Sequence, residues 1–178
     1  MQYRRAFVPG ACYFFTVVTE HRRPILASAP AIENLRNAFR RTQETRPFQI
    51  NAMVVLPDHL HCIWTLPPGD ADFSTRWRLI KTHFTKHCDP QLLAPANPAR
   101  TAKREQAIWQ HRYWEHLLRD ETDYIRHVEY IHYNPVKHGQ TASAIEWPYS
   151  SFQRYVDAGT YPANWGQAAM EWDGIGHE

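Results

Sequence analysis

A chain of 178 residues with 43% hydrophobic and 13% aromatic content is sized for one domain with a real core. It holds no long apolar run and no leader of basic, apolar and small residues, so neither a membrane span nor a secretory signal is expected, and a cytoplasmic location is. The formal charge of +2 divides as +5 over residues 1–50, +1 over 51–100, 0 over 101–140 and −4 over 141–178, which assigns polyanion binding to the N-terminal part and to selected arginines rather than to the acidic end.

Residues 12–19 are aromatic and β-branched behind Pro9 and Gly10, the profile of a strand. A helix is expected from about Ala31 to Arg41, where Ile32, Leu35 and Phe39 fall on one face. Phe48 to Leu56 and Leu60 to Leu66 are nearly continuous apolar runs parted by Pro57 and Asp58. They read as neighbouring strands joined by a tight turn and covered on at least one face. The next helix carries Phe73, Trp77, Ile80 and Phe84 on one stripe, with Arg76, Arg78 and Lys81 off it. Residues 89–107 are polar with three prolines, a loop. Ile108 to Arg119 suits a fourth strand or a hairpin, and Asp120 is placed to cap a helix running through Tyr130. Cys12, Cys62 and Cys88 are widely spaced in or beside apolar segments, which predicts buried reduced thiols. The order βαββαβ followed by a helix predicts an α+β fold. It is a ferredoxin-like or RRM-like sandwich with a four-stranded antiparallel sheet and helices on one face.

The chemistry concentrates at two places. In VVLPDHLHCIWTL a strand sends His59 and His61 to the same side, their roots roughly 6.6 Å apart, so both imidazoles can converge on one ion while Leu60 enters the core. In DYIRHVEYIHYNPVKHG, Tyr130 and Asn134 lie four residues apart and share a helix face, which sets a phenol beside an amide oxygen. Tyr124, Val128, Ile131 and Pro135 form a core stripe of their own, leaving Tyr130 and Asn134 on another face. Asp58 either orients a metal-bound imidazole or simply makes the turn. His127 and His138, on or next to the helix, either assist proton transfer or are ordinary surface histidines.

An H-x-H step followed by Y-x-x-x-N resembles the single-tyrosine HUH transposases, and most closely their REP-associated tyrosine transposase branch. The resemblance also takes in YRR at Tyr3 to Arg5, ACYFFTVVT, RPFQINAMVVLPDHLHCIWTLP, FSTRWRLIK, RYWEH at Arg112 to His116, VEYIHYNPVKHG and WPYSSF at Trp147 to Phe152. It implies that His59, His61 and Asn134 hold a divalent ion, Mg2+ or Mn2+, with no nucleotide cofactor, and that Tyr130 is the nucleophile. Asn134 stands where insertion-sequence relatives often carry the longer Gln. Imidazole by itself favours zinc, nickel or manganese. Residues 1–140 would form the catalytic domain, and 141–178 an extension packed on it or regulating it.

A tyrosine hydroxyl, with an ordinary pKa near 10, is a poor nucleophile at neutral pH without a metal or base. The resemblance implies cleavage of single-stranded DNA at the foot of a palindromic hairpin through a 5′-phosphotyrosine, by a monomer or a homodimer. Arg4, Arg5, Arg22, Arg23, Arg76, Arg78, Lys81, Arg112 and Lys137 are candidates for phosphate contacts, and Trp114 or Trp77 for stacking on a base, Trp77 having the stronger claim to the core. The alternative is a hairpin-binding regulatory or structural protein of the same fold that does not cut.

Overall fold

Alternation along β1, Cys12–Val18, sends Tyr13, Phe15 and Val17 into one core and Phe14 into another. The computed structural model describes residues 6–93 and 107–167. β1 pairs antiparallel with β3, His59–Thr65, with Thr16 opposite His61 and Val18 opposite His59. β3 pairs with β2, Gln49–Val55, and β1 pairs with β4, Trp114–Leu117, giving the order β2-β3-β1-β4. This is the four-stranded antiparallel sheet of the βαββαβ sandwich, as expected. No helix among the described residues is long and apolar enough to cross a membrane.

Two helices cover the first face. α1, Ala29–Thr45, starts where Ser28 accepts from the Ala31 amide at 3.3 Å, with Pro30 in its first turn. α2, Phe73–His87, starts where Asp72 accepts from the Thr75 amide at 2.9 Å. Ile32, Leu35 and Phe39 from α1 and Phe73, Trp77, Ile80 and Phe84 from α2 pack on Leu60, Cys62 and Trp64 of β3. Trp64 stacks on Trp77 with ring centroids 4.4 Å apart. Trp77 is thus a core residue.

The second face is covered as well, which corrects the expectation of helices on one face only. α3, Glu121–Lys137, is capped by Asp120, which accepts from the Asp123 amide at 2.8 Å. It lays Val128, Tyr130 and Ile131 on Phe14, Ala52, Val54 and Ile63. The near-continuous apolar character of β2 and β3 has this cause: both of their faces need cover. Tyr130 and Asn134 are each 0% exposed, so they do not sit on a face apart from the core stripe. The outer side of α3 is covered by residues 141–167, including α4, Phe152–Asp157. His132 of α3 packs against Phe152, Tyr155 and Tyr161 there and pairs with the Ser151 hydroxyl at 2.9 Å. This segment also runs beside β2: the Val55 amide donates to the Tyr149 carbonyl and the Ser151 amide to that of Met53, both at 2.8 Å.

β4 is shorter than the run from Ile108 to Arg119. Ile108 and Trp109 instead enter the first core, and Trp109 makes an isolated bridge to Thr19. The loop expected over residues 89–107 is described only at its ends, with a single 3-10 turn at Pro90–Leu92. All three cysteines are free thiols; Cys62 is buried, while Cys12 and Cys88 are half-buried rather than enclosed.

Candidate active site

The β3 register puts His59 and His61 on the α3 side of the sheet, both buried, with ring centroids 4.9 Å apart. Each ring is held through Nδ1. His61 Nδ1 pairs with the Thr16 hydroxyl at 2.9 Å, Thr16 being its direct cross-strand neighbour. His59 Nδ1 lies 2.6 Å from Asp58 Oδ1. Burial raises the Asp58 pKa, but hydrogen bonds and charges from His59 and then Arg22 outweigh it and hold the carboxyl down to about 2. Asp58 is therefore an acceptor and His59 Nδ1–H donates to it, which makes Nε2 the nitrogen that could take a metal.

Asp58 is fixed from a second side. Arg22 Nη1 donates to its Oδ2 at 2.9 Å, and the Asp58 carbonyl accepts from both the amide and the hydroxyl of Thr19. The turn that delivers Arg22 is strained: His21 and Arg22 have φ of 54° and 52°, a region that costs non-glycine residues about 1–2 kcal/mol each. Strain of this kind collects beside functional groups.

From the other side, α3 presses the Tyr130 ring edge-on against His61, with centroids 5.2 Å apart. Lys137, two turns further along, donates from Nζ to the Tyr130 hydroxyl at 3.1 Å. Asn134 is fully buried on the intervening turn, and His138, just past the helix end, packs against His59 at 5.1 Å. The rings thus run in the sequence Tyr130, His61, His59, His138. From the sequence Lys137 is a candidate phosphate contact and His138 a candidate proton-transfer or surface histidine; the contacts with Tyr130 and His59 come from the fold, although the Lys137 spacing of seven residues places it on the tyrosine side of the helix.

A second group of titratable residues joins β4 to the start of α3. His116 Nε2 lies 2.9 Å from Asp123 Oδ2, and His127 Nδ1 donates to the Asp123 carbonyl at 2.7 Å. The donor atoms of the three residues are close enough together to suggest a metal. The two imidazoles, however, stack nearly parallel at 16°, so their in-plane lone pairs do not converge. The group is a hydrogen-bonded tie across which β4 holds the tyrosine helix. Burial lowers the pKa of His127, which keeps its ring neutral.

The candidate DNA contacts divide. Arg22, Arg78 and Arg112 are exposed. Arg76 is not: it is 1% exposed, forks onto Asp70 at 2.7 and 3.1 Å, and donates to the carbonyls of Pro47 and Asp72. It is a structural residue and not, as the sequence suggests, a phosphate contact. Arg23 donates to the Leu92 carbonyl at 2.7 Å and Lys81 to that of Gln110 at 2.9 Å, so both tie loops to the body. Trp114 is half-buried between Phe14 and His116, in a packing role. Lys137 lies at the tyrosine. Arg4 and Arg5 lie outside the described residues.

A ferredoxin-like sheet with a strand-borne His-Leu-His step and a helix tyrosine packed on it is the architecture of a single-tyrosine HUH enzyme. The family model described as "Transposase IS200 like" matches residues 8–134. The REP-associated tyrosine transposase of Escherichia coli K12 is 46% identical over 164 residues, 92% of this chain and 90% of that one. A Haemophilus influenzae protein is 43% identical over 164 residues, 92% of each. A solved structure of a REP-associated tyrosine transposase bound to a REP hairpin superposes with a TM-score of 0.79 at 42% identity, covering 97% of this chain and 95% of that one. The chain belongs to the IS200-like, single-tyrosine HUH transposases, in the REP-associated tyrosine transposase branch.

Proposed function

We propose that this transposase nicks and rejoins single-stranded DNA at REP-type hairpins, with Tyr130 as nucleophile and His59, His61 and Asn134 as ligands of one divalent ion, Mg2+ or Mn2+. The observation that carries the reading is the contact of Tyr130 with His61, which brings phenol and imidazole pair together across two separate elements. The hairpin substrate is supported by the relative solved with a REP hairpin bound.

The donor set fits such an ion. The Asp58 contact fixes the His59 tautomer, Thr16 fixes the His61 ring, and both His59 Nε2 and Asn134 Oδ1 are shielded from bulk water. When bound, the ion supplies charge stabilisation at a non-bridging oxygen of the scissile phosphate. The remaining steps belong to the chain. The Tyr130 oxygen loses its proton and attacks phosphorus, the bond to the 3′ oxygen breaks, and the products are a 5′-phosphotyrosine and a strand with a free 3′-hydroxyl. The reverse attack of a 3′-hydroxyl restores the tyrosine, so no external energy source is needed. Lys137 donates to the phenol oxygen where negative charge collects as the proton leaves. The exposed Arg22, Arg78 and Arg112, with Arg4 and Arg5, would follow the phosphates.

The test is a covalent adduct. Protein incubated with a REP-type hairpin oligonucleotide and Mn2+ should yield a slow-migrating species that is lost in Tyr130→Phe and on chelation. Hairpin binding without any adduct would favour the non-cleaving alternative, and free ends released by Tyr130→Phe would show hydrolysis instead.

A further inference from the structure

We propose that the cavity beside His59, about 320 Å³ and bounded by Arg22, Leu56, Asp58, His138 and Gln140, is the subsite for the leaving nucleotide, the one that ends with the free 3′-hydroxyl after cleavage. The proposal rests on the tyrosine-nucleophile reading above.

Position is the first argument. In an in-line displacement at phosphorus the attacking and leaving oxygens lie on opposite sides. Tyr130 packs on His61, while the cavity opens past His59, on the far side of the imidazole pair. The strand joined to Tyr130 through its 5′ phosphate must run off on the His61 side. The departing strand is left with the His59 side, where His138 closes the row of rings.

Size and chemistry agree with position. A space of this volume is at the small end of ligand sites, about 300–1,000 Å³, which suits a single nucleotide. Its walls are of two kinds. Leu56, Pro57 and Pro24 offer apolar surface for a base face, and Gln140 offers a hydrogen-bonding edge. Arg22 brings a guanidinium for the next phosphate. One of its nitrogens is engaged by Asp58 at 2.9 Å, and the side chain remains 41% exposed, so the fork has donors left for a second anion. The left-handed backbone at His21 and Arg22 is what delivers this side chain to the rim.

The experiment uses the full chain. The cut is first mapped by sequencing the fragment released as the parent protein forms its adduct. Fluorescence anisotropy then compares Tyr130→Phe protein bound to a hairpin oligonucleotide that starts at the scissile 5′ phosphate with one extended by a single nucleotide on the 5′ side of the cut. The extension should tighten binding about five- to tenfold. That gain should vanish in the double variants carrying Arg22→Ala or Gln140→Ala, and the Gln140→Ala variant should keep its affinity for the unextended hairpin. An adduct with no gain from the extension, or an equal gain in the Gln140→Ala variant, would overturn the subsite and leave strand cleavage standing. Absence of any adduct would overturn both readings.

Discussion

Lys137 donates to the hydroxyl of Tyr130 at 3.1 Å, from two turns along the same helix. On the proposed nucleophilic role of Tyr130, an ammonium in that position favours the phenolate that attack would require. Charge-assisted hydrogen bonds contribute about 1.5–3 kcal/mol, and each ~1.4 kcal/mol is a factor of ten. Lys137→Ala should therefore slow adduct formation in single turnover by about 10–100-fold, with Lys137→Arg restoring part of the rate. If Lys137 acts only on DNA phosphates, hairpin affinity would fall by a similar factor and the rate at saturating DNA would not.

Asp58 holds His59 through a carboxylate that stays ionised. Loss of such a contact commonly weakens metal binding about 10–100-fold. Titration calorimetry with Mn2+ on Asp58→Asn should show a drop of that size with little change in fold. An unchanged affinity alongside a lower melting temperature would assign Asp58 to the turn alone.

Arg76 separates a structural arginine from a DNA-binding one. It is buried and fully engaged with Asp70 and three backbone carbonyls. Arg76→Ala should destabilise the protein by about 2–4 kcal/mol in urea denaturation, since it removes a buried charge and leaves its acceptors unpaired. Hairpin affinity of the folded fraction should hold. A stable variant with weak hairpin binding would reinstate the phosphate contact.

Acid stability should report the same pair. The hydrogen bond from Arg76 lowers the Asp70 pKa, against the opposing effect of burial. A carboxylate depressed in the folded state contributes stability that is complete above its unfolded pKa, about 3.9. The contribution is lost as pH falls through the folded value. Melting temperatures of the parent should therefore fall more steeply below pH ~4 than those of Asp70→Asn. Parallel slopes would show that this ion pair does not couple folding to protons.

The parts of the fold readable in the sequence were those set by local rules. The two-residue step that puts His59 and His61 on one face, the Asp120 cap and the Phe73–Phe84 stripe all depend on geometry within a few residues. The errors fell where partners come from afar. Arg76 lies off an apolar stripe, which normally marks solvent, and only folding brings Asp70 and the Arg46 and Pro47 carbonyls around it. Periodicity sets Tyr130 apart from the Val128–Ile131 stripe, but the sheet receives all three, and residues 141–167 enclose the opposite side of the helix at His132. It also does not say which face of a sheet a helix will choose, so α3 was expected beside α1 and α2. Spacing and resemblance together single out Tyr130 and Asn134 as candidates; neither supplies the Lys137 contact.

The backbone pairing of Met53 and Val55 with Tyr149 and Ser151 has a consequence for assembly. An exposed outer strand is a template onto which another chain can add, and proteins commonly blunt such edges to avoid it. Here the Met53–Val55 part of β2 is paired with the chain's own later segment, so a second copy cannot add a strand there. A dimer, if the protein forms one, would have to grow from other surfaces, which leaves the imidazole pair and the tyrosine helix undisturbed by strand exchange at this edge.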